Sequence, residues 1–165
     1  MNDLIYIEEI LAIYPNMKGF GYAFFQDIYM PKYYGMSIVK PPDNDKCLKR
    51  IIDMIQTYQP TLLILPTPDG KRNRKRKRIQ ELLQNITEYA MANNITLKSY
   101  SRDQIRLVFE KFDARSKLEI AQKICSGMPE LEKYKPVRRK AYMPEDYYQG
   151  MFDAISLTLT HAYLN

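Results

Sequence analysis

Seven of the eight residues in Lys71-Arg72-Asn73-Arg74-Lys75-Arg76-Lys77-Arg78 carry a positive charge. Charges that close repel one another, and where they open a helix they also face the positive end of its dipole, at about 0.3–1 kcal/mol each at low salt. Phosphates would compensate, because the first turn of a helix offers unpaired N–H groups to an anion. Such contacts give affinity for a phosphate backbone without reading bases. If all seven met duplex phosphates, binding would fall with salt at a log–log slope of about −6. The alternative is a solvated loop. The chain has 25 Lys and Arg against 19 Asp and Glu, a formal charge of +6, and without the seven it would hold 18 cations against 19 anions. The net positive charge therefore sits in one segment, as expected of a localised patch for a polyanion.

A second basic stretch, Lys133, Lys135, Arg138, Arg139 and Lys140, is interleaved with Tyr134 and Tyr142, and Tyr147 and Tyr148 follow. Aromatic rings among cations suit stacking on unpaired bases, although many of the 14 tyrosines must serve the core or its rim. Asp153 lies among Met151, Phe152, Ala154, Ile155, Leu157 and Leu159, and a carboxylate in so apolar a helix needs a partner. Asp146, seven residues earlier, would share its helix face. Glu145 and Asp146 also follow Pro144 in what reads as a first turn, where acids suit the dipole. Asp69 precedes the basic segment and reads as a turn or cap residue. His161, the single histidine, reads as a helix-end residue.

The elements that position these residues alternate. Residues 8–14 and 19–26 read as two strands joined through Pro15-Asn16-Met17-Lys18 as a hairpin, with a weaker strand at 34–39. From Asp43, Cys47, Leu48, Ile51, Ile52, Met54 and Ile55 form an apolar stripe at helical spacing that ends near Gln59-Pro60. Thr61-Leu62-Leu63-Ile64-Leu65, stopped by Pro66, reads as a central strand covered on both faces. A helix is expected from the basic segment to about Ala92, then a strand from Ile95 to Tyr100. Ser101 and Gln104 form a capping-box pattern for a third helix, and Asp113 is the expected cap of a fourth, ending near Gly127. Residues 128–143 read as an irregular basic connection, and Pro144 as the first turn of a last helix running to about Tyr163. The order is α/β, with a mixed sheet flanked by helices.

A chain of 165 residues is expected to form a single domain over 1–165, large enough to bury roughly 70% of its unfolded surface. There is no run of eighteen apolar residues and no secretory signal at Met1-Asn2-Asp3, so no membrane partner and a cytoplasmic setting are expected. Cys47 and Cys125 read as reduced, packed thiols.

Ile10-Leu11-Ala12-Ile13-Tyr14-Pro15-Asn16, running on through Gly19-Phe20-Gly21-Tyr22-Ala23-Phe24-Phe25, together with the closing Phe152-Asp153-Ala154-Ile155-Ser156-Leu157-Thr158-Leu159-Thr160-His161, resemble the two ends of a RuvC-type nuclease domain. These Holliday junction resolvase-like domains belong to the RNase H-like superfamily. In that family the first strand reads Ile-Asp-Pro-Gly and the last helix carries an Asp-Ala pair. The resemblance covers most of the chain and implies an RNase H-like mixed sheet flanked by helices. It also implies Mg or Mn held between four carboxylates, one metal activating water and the other stabilising the leaving oxygen. Matched one at a time, the first carboxylate position falls on Tyr14, the second at or beside Pro66, and the third on Gly150. Only Asp153 matches, which makes it the candidate metal ligand and, with Asp146, the candidate catalytic residue. The Thr160-His161 pair also matches the family's last helix.

What these residues and the resemblance imply together is a nucleic-acid-binding domain of RuvC-like fold with a degenerate site, recognising branched or structured DNA in recombination or repair. Lys71, Arg72, Arg74, Lys75, Arg76, Lys77, Arg78, Arg138, Arg139 and Lys140 are its expected nucleic-acid contacts. A homodimer is the form the resemblance implies, since a four-way junction presents paired strands. One alternative is a working Mg- or Mn-dependent endonuclease in which Asp153 is joined by at least two of Asp69, Glu145 and Asp146. Another is an assembly protein whose basic run binds an acidic partner.

Overall fold

The structure is a computed structural model that describes residues 8–68 and 74–165. Its first three strands are β1 (Ile10–Asn16), β2 (Gly19–Phe25) and β3 (Tyr33–Ile38). β1 and β2 pair antiparallel from Ile10↔Phe25 to Asn16↔Gly19, so Pro15 and Asn16 belong to the strand and only Met17-Lys18 turns the chain. The Asn16 side chain makes that tight turn, accepting from the N–H groups of Lys18 at 2.9 Å and Gly19 at 3.1 Å. Only glycine fits at position 19, where φ is +147° and a Cβ would lie 2.0 Å from the Ser37 carbonyl oxygen.

Next come α1 (Asn44–Tyr58), β4 (Leu62–Pro66), α2 (Arg74–Ala92) and β5 (Thr96–Tyr100). Three more α-helices follow, α3 (Arg102–Glu110), α4 (Lys117–Gly127) and α5 (Gln149–Leu164), with a 3-10 helix at Pro129–Tyr134 between the last two. Asp43 caps α1 by accepting from Lys46 N–H at 3.0 Å, and Gln59 ends it in the left-handed conformation just before Pro60. The Ser101–Gln104 capping box is fully formed. Two boundaries differ from the sequence reading. Asp113 takes up a left-handed turn at φ 61°, and Ser116 caps α4 instead, accepting from Glu119 N–H. The last helix starts at Gln149 rather than Pro144, so Glu145 and Asp146 precede it and do not sit in its first turn.

The sheet order is β3-β2-β1-β4-β5. β2 runs against β1 and β3, while β1, β4 and β5 are parallel, as the long crossovers through α1 and α2 require. Alternate side chains feed two cores. Leu11, Ile13, Leu63 and Leu65 face α1 and α2, whereas Ile10, Ala12, Leu62 and Ile64 face α3, α4 and α5. α5 is buried from Gln149 to His161 at every position except Leu159, because the sheet covers one side and α3 and α4 the other. Fully buried Phe152, Ile155 and Leu157 contribute about 1.5–3 kcal/mol each, and they fix where Asp153 must lie. Cys47 and Cys125 are buried and unpaired. Among the described residues, no helix is long and apolar enough to cross a membrane.

Candidate functional site

β3, β1, β4 and β5 all point the same way, and α1, α2 and α3 each follow the carboxyl end of one of them. Their first turns therefore gather at one edge of the sheet, where open α/β sheets place their ligands. α5 enters at the same edge, with Gly150 against Gly21 of β2 and beside Asn16.

Tyr14 and Pro66 each lie two residues beyond the last β1–β4 pair, Ala12↔Ile64, and so on the face that carries α5. The four positions that the resemblance singled out thus converge, although three hold no carboxylate. Burial, and then the charge of Asp153, push the Tyr14 phenol above its ordinary value, while Arg102 and Lys117 pull it down. A side chain at Gly150 would have to displace two side-chain ends. A Cβ there would lie 2.6 Å from Asn16 Nδ2 and 2.8 Å from Met36 Sδ, and a Cβ on Gly21 would lie 1.9 Å from the Gly150 carbonyl oxygen. The absence of a side chain at Gly21 is what lets α5 rest on the backbone of β2.

Asp153, 4% exposed, is held by side chains from three helices. Its Oδ1 accepts from Gln149 Nε2 at 3.0 Å and faces Arg102 Nη1 at 3.4 Å, and its Oδ2 faces Lys117 Nζ at 3.5 Å. Burial pushes the carboxyl above the ordinary aspartate range, and Lys117 and Arg102 pull against that rise. Burial alone would lower the Lys117 ammonium, but Asp153 and Glu145 together hold it above the ordinary lysine value. The two partners respond differently because the Lys117 side chain, 40% exposed, keeps some of its water. Lys117 Nζ also lies 3.2 Å from Glu145 Oε2. Asp146 points elsewhere, its carboxylate accepting the Tyr148 N–H at 3.1 Å.

This donor set does not fit a pair of divalent metals. Hard cations need several convergent oxygens, and here a phenol, a proline and a glycine replace three of them while two basic side chains flank the fourth. Among the described residues, no three His, Cys, Asp or Glu side chains come together as metal ligands. Arg102 and Lys117 were missed as site residues in the sequence. Their signal was local: each follows a serine cap and opens a helix, where a cation opposes the dipole and wants an anion.

The expected nucleic-acid contacts divide. Asp69, Lys71 and Arg72 lie outside the described residues, as do the side chains of Arg74 and Lys75. Lys77 is exposed and Arg76 partly so. Arg78 braces the fold, donating to the Asn16 carbonyl at 3.1 Å and to Asn44 Oδ1 at 3.3 Å, while its own carbonyl accepts from Asn44 Nδ2 at 2.9 Å. Arg138, Arg139 and Lys140 are exposed. Arg138 and Arg139 line a groove of about 250 Å³ with Ser116, Lys117, Glu145 and Gln149, beside Asp153. Tyr134 and Tyr148 pack together at 4.8 Å against the α5 core, which leaves Tyr142 and Tyr147 as the accessible rings. His161 stands apart, about 12 Å along α5 from Asp153. Its Nδ1 meets the Tyr100 hydroxyl at 2.6 Å and its Nε2 meets Glu8 Oε2 at 3.1 Å, so it ties the helix end to β5 and to the approach to β1.

The chain has the RuvC-like RNase H fold. It is similar to T. thermophilus RuvC in complex with a Holliday junction substrate, at a TM-score of 0.66 and 13% identity over 93% of this chain and 92% of that one. A second Thermus thermophilus RuvC structure gives a TM-score of 0.62 at 14% identity over 93% of both chains. The yeast mitochondrial Holliday junction resolvase Ydc2 gives 0.62 at 13% identity, over 96% of this chain and 81% of that one. No protein-family model matches the chain, and the sequence of no curated protein does.

Proposed function

We infer that this chain is a nucleic-acid-binding domain that recognises branched DNA, without cutting it, through the edge of the sheet where its helices begin. The observation that carries the reading is the state of Asp153: the one carboxylate that matches the resemblance is engaged by Arg102, Lys117 and Gln149. The basic run supports a polyanionic partner, because it opens α2 at that same edge and the first turn of α2 contains no acid. Branched DNA is favoured over other polyanions because a protein of this fold, T. thermophilus RuvC, has been solved with a Holliday junction. A homodimer working in recombination or repair inside the cell follows from the same reading.

The test pairs cleavage with binding. Labelled four-way junction, duplex and single strands are incubated with Mg or Mn and resolved on a denaturing gel, beside an Asp153→Asn variant. No cuts, with junction binding whose log–log salt slope steepens with the number of phosphates met, is the expected result. Metal-dependent cuts that Asp153→Asn abolishes would establish an endonuclease with relocated carboxylates. Binding only to acidic protein would favour an assembly role.

A further inference from the structure

Four carboxylates around two divalent cations sum to zero charge. The cluster here reaches the same balance with smaller charges, Asp153 and Glu145 against Arg102 and Lys117. A phosphate drawn to a metal centre is drawn by the charge that the metals carry. Here the corresponding charge is built into the chain, and Lys117 is the more exposed of its two cations.

Lys117 projects from the first turn of α4 into the groove, whose far wall is the segment from Pro136 to Arg139. Arg139 is set in place by donating to the Met143 carbonyl at 2.5 Å. Of the charged side chains lining the groove, Lys117, Arg138 and Arg139 are positive and Glu145 and Asp146 negative, a net charge of +1. Asp146 is turned back onto the Tyr148 N–H and Glu145 onto Lys117, so both carboxylates are already engaged with this chain's own donors. We propose that this groove is a metal-independent phosphate site, in which Lys117, Arg138 and Arg139 take a backbone phosphate of the bound DNA beside Asp153. Occupancy by phosphate would then need no Mg or Mn, unlike occupancy of a two-metal centre of this fold. The proposal rests on the nucleic-acid reading above for its ligand, but the site has a readout that does not need DNA.

Two measurements on the full chain test it. In the first, fluorescence anisotropy follows a labelled four-way junction against salt, in EDTA and in Mg, for the parent, Lys117→Gln and Arg138→Glu. Arg138 is exposed on the connection and its variant keeps the Asp153 cluster intact, so a folding defect in Lys117→Gln does not decide the result. Equal affinity in EDTA and Mg, with the salt slope reduced by about one in each variant, is expected. In the second, inorganic phosphate is titrated without metal while the amide signals of Lys117 and Leu118 are followed by NMR, and shifts that Arg138→Glu weakens are expected. Junction binding that is unchanged in both variants, or that vanishes in EDTA, overturns the phosphate site and leaves the nucleic-acid reading standing. Phosphate shifts without binding to any nucleic acid overturn the reading and leave the site. Neither binding nor shifts overturns both.

Discussion

Arg102 and Lys117 each open a helix behind a serine cap, and so do the cations of α2 open theirs, but the fold treats the two regions in opposite ways. The first pair is answered from inside, by Asp153 at 3.4 and 3.5 Å. α2 begins Arg74-Lys75-Arg76-Lys77-Arg78 with no acid in its first turn, and Arg78 donates to neutral oxygens of Asn16 and Asn44. The same unfavourable placement therefore has two resolutions. Where the chain supplies the anion, the cation is built into the fold, and the part-exposed Lys117 alone of that pair also keeps a side toward the groove. Where the first turn holds no acid, an exposed cation such as Lys77 suits a polyanion.

The sharpest way to break this comparison is to remove the inner cations. Arg102→Gln with Lys117→Gln leaves Asp153 buried without a counter-charge, and urea unfolding at neutral pH is expected to show a loss of about 3–5 kcal/mol. Adding Asp153→Asn to that pair should recover part of the loss, which a mutant cycle would measure directly. Gly21→Ala comes next. Its new methyl collides with the Gly150 carbonyl, so a loss of about 1–3 kcal/mol is expected in the same assay.

A smaller effect follows from proton linkage. Because burial raises the Asp153 carboxyl, the folded chain holds that proton more tightly than the unfolded one, whose aspartates titrate near about 3.9. The associated stability is fully present below that pH and is lost as the pH rises through the higher folded value. The stability of the parent relative to Asp153→Asn should therefore fall from acid toward neutral pH and then level off, as read from urea midpoints at fixed salt. The smallest change in stability is expected at the outer cations. Lys77→Gln should leave stability within about 0.5 kcal/mol of the parent. It should nevertheless reduce the salt slope of nucleic-acid binding by about one.

Much of the fold was legible because local signals and tertiary packing agreed. Thr61 to Leu65 is continuously apolar and becomes the central parallel strand, and Ser101 with Gln104 makes the cap that its spacing implies. The hairpin was right in place but wrong in its turn, since the Asn16 side chain lets two residues do what four were expected to do. The last helix was started too early because Pro144 is compatible with a first turn, whereas Asp146 binds the Tyr148 N–H and holds the chain out of helix until Gln149. At the site, Tyr14, Pro66 and Gly150 were legible as standing where the resemblance expects acids, but the partners of Asp153 were not. Arg102 and Asp153 stand 51 residues apart, and nothing local to either names the other. Gly150 read as a missing ligand, and only the packing of α5 on β2 reveals it as a contact in its own right.

That contact also has two unequal sides. A side chain at position 150 would meet only the ends of Asn16 and Met36, which can swing aside, whereas one at position 21 would meet the carbonyl of Gly150, which cannot. The seam between helix and strand is therefore one-sided: position 150 can take a side chain by moving two neighbours, while any side chain at position 21 must move the helix itself.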